Sequence, residues 1–350
     1  MQNKESCGSF QINNKPFKFE LFQEQVVHQQ QFCYAIAIND NNNLLTTSAY
    51  KNIKIHYFNK GKMKQLKEIQ KHQGWITTLN FFKKRPNFVS GSQDASIIIW
   101  FSILMPVSKF MMKLNVHSRA INCVIISQID ENLFISASGD GTIRFWSSLI
   151  SNSSQWLCYQ TINEHTNSIY ECSLNEDASQ LISCSQDCKI LIIDRQQNQK
   201  WQVKQIIQMN RRGYRLKFID YHTFVFLSYS SNHLRVYKLN VNSNNQEEYI
   251  NIQNIPIQGS EQACMCYFPS QYNKQKNLLI IKNGYYVNCL RLIPSHYSTQ
   301  LLDCEQSFNI DFNSQTEGNI FGTLSDDGEF LIFWDAYSRT FQVRKYSENI

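Results

Sequence analysis

The sequence lacks any long apolar run. No stretch reaches the ~18 uninterrupted apolar residues that a membrane-spanning helix needs. The opening residues, MQNKESCGSF, also lack the apolar segment of a secretory signal peptide. These absences exclude membrane insertion by a helix and favour a soluble cytoplasmic protein, with the nucleus or a cilium as alternative locations.

Short catalytic motifs are missing as well. The chain has only 12 glycines and contains no Walker loop, Gly-x-Gly-x-x-Gly, Gly-x-Ser-x-Gly or His-Glu-x-x-His pattern. Nucleotide-binding and hydrolase sites therefore lack their usual parts. We expect no enzymatic activity and no cofactor.

The cysteines follow no recognisable framework. There are eleven, an odd number, and pairs such as Cys184 and Cys188 or Cys264 and Cys266 fit neither a disulfide set nor a Cys-x-x-Cys zinc site. We interpret them as reduced, mostly buried thiols in a reducing compartment.

Charge is modest and scattered. The net charge is +6, from 34 basic and 28 acidic residues, whereas a nucleic-acid footprint is a clustered basic stripe. One cluster of lysines stands out. We interpret it as a solvent-exposed edge strand on which lysine prevents the addition of further strands, and binding of an acidic partner is the alternative. Its members are Lys60, Lys62, Lys64, Lys67 and Lys71.

What the sequence does contain is a repeat. Hydrophobic content of 42% is ample for a core, and three phrases recur: SGSQDASIIIW at 90–100, SASGDGTIRFW at 136–146 and SCSQDCKILII at 183–193. Their aspartates lie 46 and 47 residues apart, and the upstream histidines His28, His72, His117 and His165 are 44, 45 and 48 apart. A period of this size indicates a repeat architecture.

Each period carries four short β-prone runs separated by polar turns. Four antiparallel strands make a small twisted sheet whose two faces both need covering. Radial packing against neighbouring sheets supplies that cover and removes exposed edges.

These units resemble WD40 repeats, which implies an all-β, seven-bladed β-propeller of four-stranded antiparallel blades. Units two to four carry the motif well. Unit one keeps His28 and Thr47 but has Lys51 and Tyr57 in place of Asp and Trp, and unit seven regains the motif at 325–335 with Asp327 and Trp334. Units five and six are inferred from spacing.

The resemblance also implies boundaries. Residues 1–15 form a flexible segment, and one propeller occupies 16–346. Its strand 16–22 pairs with the C-terminal part and closes the ring, although the segment 340–346 competes for that edge. The predicted blades lie near 29–70, 72–116, 117–162, 165–208, 212–256, 262–303 and 306–346.

In the family, the repeated His, Ser, Asp and Trp form a hydrogen-bond chain inside each blade, which satisfies buried polar groups. Because they lie a blade apart, they cannot converge on one metal or substrate. Cys184 and Cys188 would have to share His165 and Asp187 with such a chain, so no metal site is expected. The implied structural residues are His72, Ser90, Asp94, Trp100, His117, Ser136, Asp140, Trp146, His165, Ser183 and Asp187.

Partners of the family dock on the rim that bears the residues after each His and before each Asp. Trp75, which follows Gly74, is the sharpest candidate if it is exposed rather than folded onto its blade, since Trp, Tyr and Arg dominate hot spots. The predicted rim is Trp75, Arg119, Tyr50, Gln93, Asn167, Gln186, Arg212 and Tyr214, with Gln31 and Arg211 at matching positions.

The resemblance implies a non-catalytic scaffold or adaptor: a monomeric propeller that binds proteins or peptides within a larger complex. One alternative is a substrate receptor of a ubiquitin ligase, although Ile193-Asp194-Arg195 and Trp334-Asp335 both miss the Trp-Asp-x-Arg ending that would favour it. The other is a targeting factor of cytosolic iron–sulfur assembly. A nucleic-acid binder, marked by steep salt dependence, and an enzyme are less favoured.

Overall fold

The protein's structure, a computed structural model, describes residues 16–22, 26–101, 110–149, 155–259, 265–294, 302–311 and 318–348. The predicted flexible segment 1–15 lies outside them. These residues form 29 strands arranged in seven antiparallel sheets. None of them belongs to a helix long and apolar enough to cross a membrane.

The first three blades each contain four strands that run from the centre outwards in chain order. Blade one comprises β3 (Ile36–Ile38), β4 (Leu44–Ala49), β5 (Asn52–Asn59) and β6 (Lys62–Gln70). Blade two comprises β7 (Ile76–Phe81), β8 (Asn87–Ser92), β9 (Ile97–Phe101) and β10 (Phe110–Leu114). Blade three comprises β11 (Ile121–Ile126), β12 (Leu133–Ser138), β13 (Ile143–Ser147) and β14 (Leu157–Ile162).

Three further blades repeat this order. Blade four comprises β15 (Ile169–Leu174), β16 (Gln180–Ser185), β17 (Lys189–Arg195) and β18 (Trp201–Gln208). Blade five comprises β19 (Gly213–Phe218), β20 (Thr223–Ser228), β21 (His233–Val241) and β22 (Glu247–Pro256). Blade six comprises β23 (Gln271–Asn273), β24 (Leu278–Asn283), β25 (Tyr286–Pro294) and β26 (Leu302–Asp311).

The seventh blade joins the two ends of the chain. Its inner strands are β27 (Ile320–Leu324), β28 (Phe330–Asp335) and β29 (Thr340–Glu348), and its outermost strand is β1 (Phe17–Leu21). Phe17 pairs with Glu348 and Leu21 with Arg344, while the short β2 (Val27–His28) also pairs with β29. The predicted seven-bladed propeller and its closure are therefore confirmed. The segment 340–346 does not compete with β1, because it supplies the strand to which β1 pairs.

The core lies between blades. Every residue of β8, β12 and β16 is buried, because both faces of a middle strand contact a neighbouring sheet. One apolar cluster, for example, combines Ile53 of blade one with Trp100 of blade two. Because both faces are covered, these strands do not alternate between buried and exposed residues, and their serines are buried as well.

Two details of the predicted units are wrong. Asp327 lies in the turn between the first and second strands of blade seven, and Trp334 is on the second strand. The aspartates of blades two to four lie instead between second and third strands. The predicted boundary at 303–306 falls inside β26, so residues up to Asp311 belong to blade six.

The seven innermost strands surround a channel of about 650 Å³. Its two ends differ in which turns they carry. One end, which we call the upper rim, bears the turns between second and third strands and the links that enter each new blade. The other end, the lower face, bears the turns between first and second strands.

Candidate functional site

The upper rim is held by hydrogen-bond chains within blades. In blade two, the indole Nε1 of Trp100 donates to Ser90 Oγ at 2.8 Å, and that oxygen lies 2.7 Å from Nε2 of His72. The other ring nitrogen, Nδ1, is 3.0 Å from Asp94 Oδ2. The carboxylate also accepts the backbone N–H of Gln73 and of Ser96. One chain of donors thus runs from a buried strand to the turn at the surface.

Blade three repeats this arrangement. His117 lies 2.8 Å from Ser136 Oγ and 2.9 Å from Asp140 Oδ2, and Trp146 donates to Ser136 at 2.9 Å. The shared geometry fixes the turn that carries Asp140.

Blade four keeps three members of the chain. His165 lies 2.9 Å from Ser183 Oγ and 2.8 Å from Asp187 Oδ2, and Ile193 takes the place of the indole. Burial alone would raise the pKa of Asp187. The hydrogen bonds from His165, Thr166 and Lys189 outweigh burial and lower that pKa to about 2. Asp94 and Asp140 have lowered pKa values for the same reasons.

Blade one uses different residues for the same positions. The N–H of Tyr50 donates to the carbonyl of Phe32, as the N–H of Gln93 donates to that of Trp75. His72 precedes Trp75 by three residues, and the residue three before Phe32 is Gln29. Gln29, rather than the predicted His28, therefore occupies the position equivalent to His72. Gln29 is buried and donates to the carbonyl of Ser48 at 2.8 Å, whereas His28 is exposed on β2.

The partner of Thr47 in blade one also differs from the prediction. Nε2 of His56, not the side chain of Tyr57, lies 3.0 Å from Thr47 Oγ1. Tyr57 points outwards and is 45% exposed. Burial lowers the pKa of His56 to about 4, so the ring is neutral around pH 7.

No group of three or more His, Cys, Asp or Glu side chains could hold a metal ion anywhere in the described ranges. His165 and Asp187 bind each other, and burial raises the pKa of Cys184 well above its ordinary value. In the channel, burial also raises the pKa of Cys123 to about 12. These thiols are neutral and poor ligands or nucleophiles.

An aromatic cluster occupies the upper rim at blades one and two. Trp75 lies with its ring centroid 5.1 Å from Tyr34, 5.5 Å from Tyr50 and 6.4 Å, nearly parallel, from Phe32. Trp75 remains 38% exposed and Tyr50 37%. The rings therefore support one another and present a preformed apolar surface, which we call the Trp75 platform. Its members are Phe32, Tyr34, Tyr50 and Trp75.

A second aromatic group lies at blades four and five. Tyr214 makes edge contacts with Tyr170 at 5.4 Å and with Tyr229 at 5.5 Å. The guanidinium of Arg212 stacks 4.1 Å from the Tyr229 ring, and Tyr170 donates to the Gln186 side chain. Arg212 and Tyr214 are only partly exposed, so this group is less accessible than the platform.

The remaining predicted rim residues are exposed on other blades or lie in the links between blades. Gln93, Arg119, Asn167 and Gln186 all point to solvent, and Gln31 and Arg211 lie in the links that enter blades one and five. The structure thus brings Trp75 and Tyr50 together but keeps Arg119, Asn167 and Gln186 on separate blades.

Basic residues dominate the charge of this face. The acids at its described turns and links are the three turn aspartates, each hydrogen-bonded to a histidine, together with Glu164 and the buried Asp335, which accepts the N–H groups of Tyr337 and Ser338. Basic side chains there are Lys51, Lys71, Arg119, Arg211, Arg212 and Arg339. On the lower face, by contrast, Lys83 pairs with Asp326 at 3.0 Å and Lys274 with Glu176 at 2.7 Å. The upper rim is therefore the more positive end of the channel.

Sequence reasoning missed Phe32, Tyr34 and Tyr267. Tyr267 lies 5.3 Å from Tyr34 and lines the channel. Phe32 could have been found from the sequence by aligning Gln29 with His72, because that register places Phe32 at the position of Trp75.

Comparison with known proteins agrees with this architecture. The family model "WD domain, G-beta repeat" matches residues 63–100, 108–147 and 156–194. Each match covers the outer strand of one blade and three inner strands of the next, so each repeat links two blades covalently. The prediction of WD40 repeats is confirmed for the three matched segments, which lie in a seven-bladed β-propeller.

Its relatives share WD repeats over short segments. The chain is 38% identical over 63 residues to WD repeat-containing protein 26 homolog of Arabidopsis thaliana, covering 18% of this chain and 10% of that protein. It is 27% identical over 172 residues to WD repeat-containing protein 1 of Gallus gallus, covering 44% and 27%. It is 25% identical over 125 residues to Chromatin assembly factor 1 subunit FAS2 homolog of Oryza sativa subsp. japonica, covering 34% and 25%. The matches thus span about a quarter or less of these relatives.

Proposed function

We propose that this propeller is a non-catalytic scaffold that binds a peptide or loop of a protein partner on its upper rim. The Trp75 platform carries the proposal. A large exposed ring held rigid by three others loses little conformational entropy on binding, and such anchors dominate interface energies.

The charge of the rim refines the partner. Because Arg339 lies 5.0 Å over the ring of Phe32 and Lys51 follows Tyr50 on a predominantly basic face, a partner segment with an apolar or aromatic anchor and acidic flanks fits best. The relative from Oryza sativa is named as a subunit of chromatin assembly factor 1, which supports a role within a complex. We propose a cytoplasmic location for this activity.

Affinity capture from the native cell tests the proposal. The Trp75→Ala, Arg119→Ala double variant should lose partners that the wild type recovers, because it removes the exposed ring and a flanking charge. A matched double variant, Tyr57→Ala with Lys200→Ala, removes an exposed ring and a cation away from the upper rim. It should recover the same partners as the wild type.

Melting curves of both double variants establish that they are folded. Equal recovery of the same partners by the wild type and the Trp75→Ala, Arg119→Ala variant contradicts the proposal.

A further inference from the structure

A second cavity opens on the upper rim beside blade five. Its volume is about 480 Å³, and its lining combines two arginines with serine and asparagine side chains and a glycine. Within the described part of the chain no carboxylate lines it. The lining residues are Asn210, Arg211, Ser228, Ser230, Ser231, Asn232, Arg235 and Gly259, and we call this cavity the blade-five pocket.

The pocket exists because blade five has lost the hydrogen-bond chain of blades two to four. The N–H of Tyr229 donates to the carbonyl of Arg212, just as the N–H of Gln93 donates to the carbonyl of Trp75 in blade two. Tyr229 is therefore equivalent to Gln93, and the next residue, Ser230, is equivalent to Asp94. By the same register, Met209 stands at the histidine position. A serine therefore replaces the carboxylate that blades two to four place in this turn.

Two further features open the turn. Phe226 pairs with Arg235 as Ser136 pairs with Arg144 in blade three, so an aromatic ring replaces the central hydroxyl. The turn of blade five is also one residue longer than that of blade three. Both changes leave polar turn residues around Arg235 without a carboxylate among them.

The chemistry of the lining suits an oxyanion. Arg211 donates to the carbonyl of Ser230, and Arg235 lies beside the hydroxyl of Tyr237. A guanidinium has five N–H donors, more than these contacts use, and its planar fork matches the oxygens of phosphate. Asn232 adds a neutral donor at the same pocket, whereas the Ser231 hydroxyl donates to the carbonyl of His233.

The position of the pocket identifies the source of the anion. Arg212 and Tyr229 belong to the aromatic group at blades four and five, while their chain neighbours Arg211 and Ser230 line the pocket. The pocket therefore opens on the same rim as the Trp75 platform, three blades away around the ring, where a peptide that extends across the rim can reach it. Nucleic acid would need a continuous basic track, whereas this is one isolated pair of arginines.

We propose that the blade-five pocket binds the phosphate of a phosphorylated serine or threonine in the peptide that docks on the upper rim. This inference rests on the proposed function, because the rim must hold the rest of the peptide. It makes phosphorylation of the partner the switch for binding.

Three degenerate peptide libraries that differ only in a central phosphoserine, serine or glutamate provide the test, with binding to the purified full chain as the readout. The phosphoserine library should bind about tenfold more tightly than the serine library, from charge-assisted hydrogen bonds. Inorganic phosphate should compete for the difference.

Variants assign the effect to the pocket. Arg235→Ala and Arg211→Ala should each reduce phosphoserine binding towards the level of the serine library. Ser230→Asp should also abolish the preference, because it restores the carboxylate without removing an arginine. Arg144→Ala, at the matching register of blade three, is the control and should keep the preference. Melting curves show that each variant is folded.

The outcomes separate the two proposals. Equal binding of the serine and phosphoserine libraries overturns this inference and leaves the proposed function standing. Failure of every library to bind contradicts both. Glutamate binding as tight as phosphoserine, or an oligouridine that binds more tightly than any peptide, also overturns the inference.

Discussion

At the scale of single residues, the turn aspartates stabilise the upper rim because each satisfies several donors at once. Asp140 accepts from His117 at 2.9 Å and from the backbone N–H of Ser118 and Thr142. A carboxylate that accepts so many hydrogen bonds costs little to bury, whereas its removal leaves those donors without an acceptor.

We therefore expect Asp140→Ala to lower the free energy of unfolding by about 1–3 kcal/mol, the cost of unsatisfied buried donors. Urea unfolding of wild type and variant measures it. Asp177→Ala is the control, because Asp177 is an exposed turn residue with one hydrogen bond, to the N–H of Ser179. A loss no larger for Asp140→Ala than for Asp177→Ala contradicts the structural role.

The lowered pKa of Asp187 predicts a pH dependence. Its pKa falls from 3.8 to about 2 on folding, so the folded state binds the proton less tightly than the unfolded state does. The stability that this carboxylate contributes is fully present above about pH 4 and is lost as pH falls through about 2.

The difference in unfolding free energy between wild type and Asp187→Asn should accordingly shrink between pH 4 and pH 2. Urea titrations at several pH values measure it, and the aspartates of blades two and three cancel in the comparison. A difference that stays constant over this range contradicts the assignment.

Single residues also show which positions could be predicted from the sequence and which could not. The repeated His, Ser and Asp could be aligned in blades two to four because all three types recur together. In blade one, His28 and Tyr57 matched by residue type, yet Gln29 and His56 occupy those positions. A one-residue shift moves side chains to the other face of a strand, and only backbone pairing decides the register.

At the scale of elements, an ambiguity of register also explains why the strands of blade seven were assigned wrongly from the sequence. A polar turn with Asp followed by an apolar strand that ends in Trp-Asp describes 325–335, but such a hairpin can stand at either end of a blade. The pairing of β28 with both β27 and β29 identifies it as the second strand. The number of blades, in contrast, was predicted correctly from the motif residues of units one to four and seven together with the spacing of units five and six.

The closing strand β1 is the element on which the ring depends. Phe19 is buried against Tyr346, with ring centroids 5.6 Å apart, and Phe17 stacks on the same ring at 5.9 Å. β1 thus supplies core as well as backbone pairing to a blade whose other strands lie at the far end of the chain.

Phe19→Ala should therefore lower the free energy of unfolding by about 3–5 kcal/mol, through lost burial and the cavity left behind. Leu21→Ala on the same strand is the matched control, since Leu21 is 40% exposed. Chemical unfolding compares the two variants. Similar losses in both would show that the strand stabilises the ring through backbone pairing alone.

At the scale of the whole molecule, a buried carboxylate joins three blades. Glu171 of blade four accepts the N–H of Leu216 in blade five at 2.8 Å and the N–H and hydroxyl of Ser270, next to β23 of blade six. Arg215, also buried, donates to the carbonyls of Met265 and Lys282. Glu171 and Arg215 thus connect blades five and six, whose repeats are degenerate, to blade four, which keeps the repeated hydrogen-bond chain.

This arrangement predicts that two glutamates of blade four contribute very different amounts to the free energy of unfolding. Burial raises the pKa of Glu171 while the charge of Arg215 opposes that rise, so the carboxylate and the guanidinium offset each other inside the ring. Glu171→Ala removes that compensation and three accepted hydrogen bonds, and should cost about 3–5 kcal/mol of unfolding free energy. Glu176→Ala also breaks a contact to blade six, the surface pair with Lys274, and should cost about 0–1 kcal/mol.

Urea unfolding followed by tryptophan fluorescence measures both glutamate variants. Glu171→Gln adds a check on charge, because it keeps the size of the side chain while losing the negative charge beside Arg215. It should retain less stability than wild type and more than Glu171→Ala. Equal stability of Glu171→Ala and Glu176→Ala would mean that the blades cohere through apolar packing alone, without a contribution from the buried carboxylate that joins blades four, five and six.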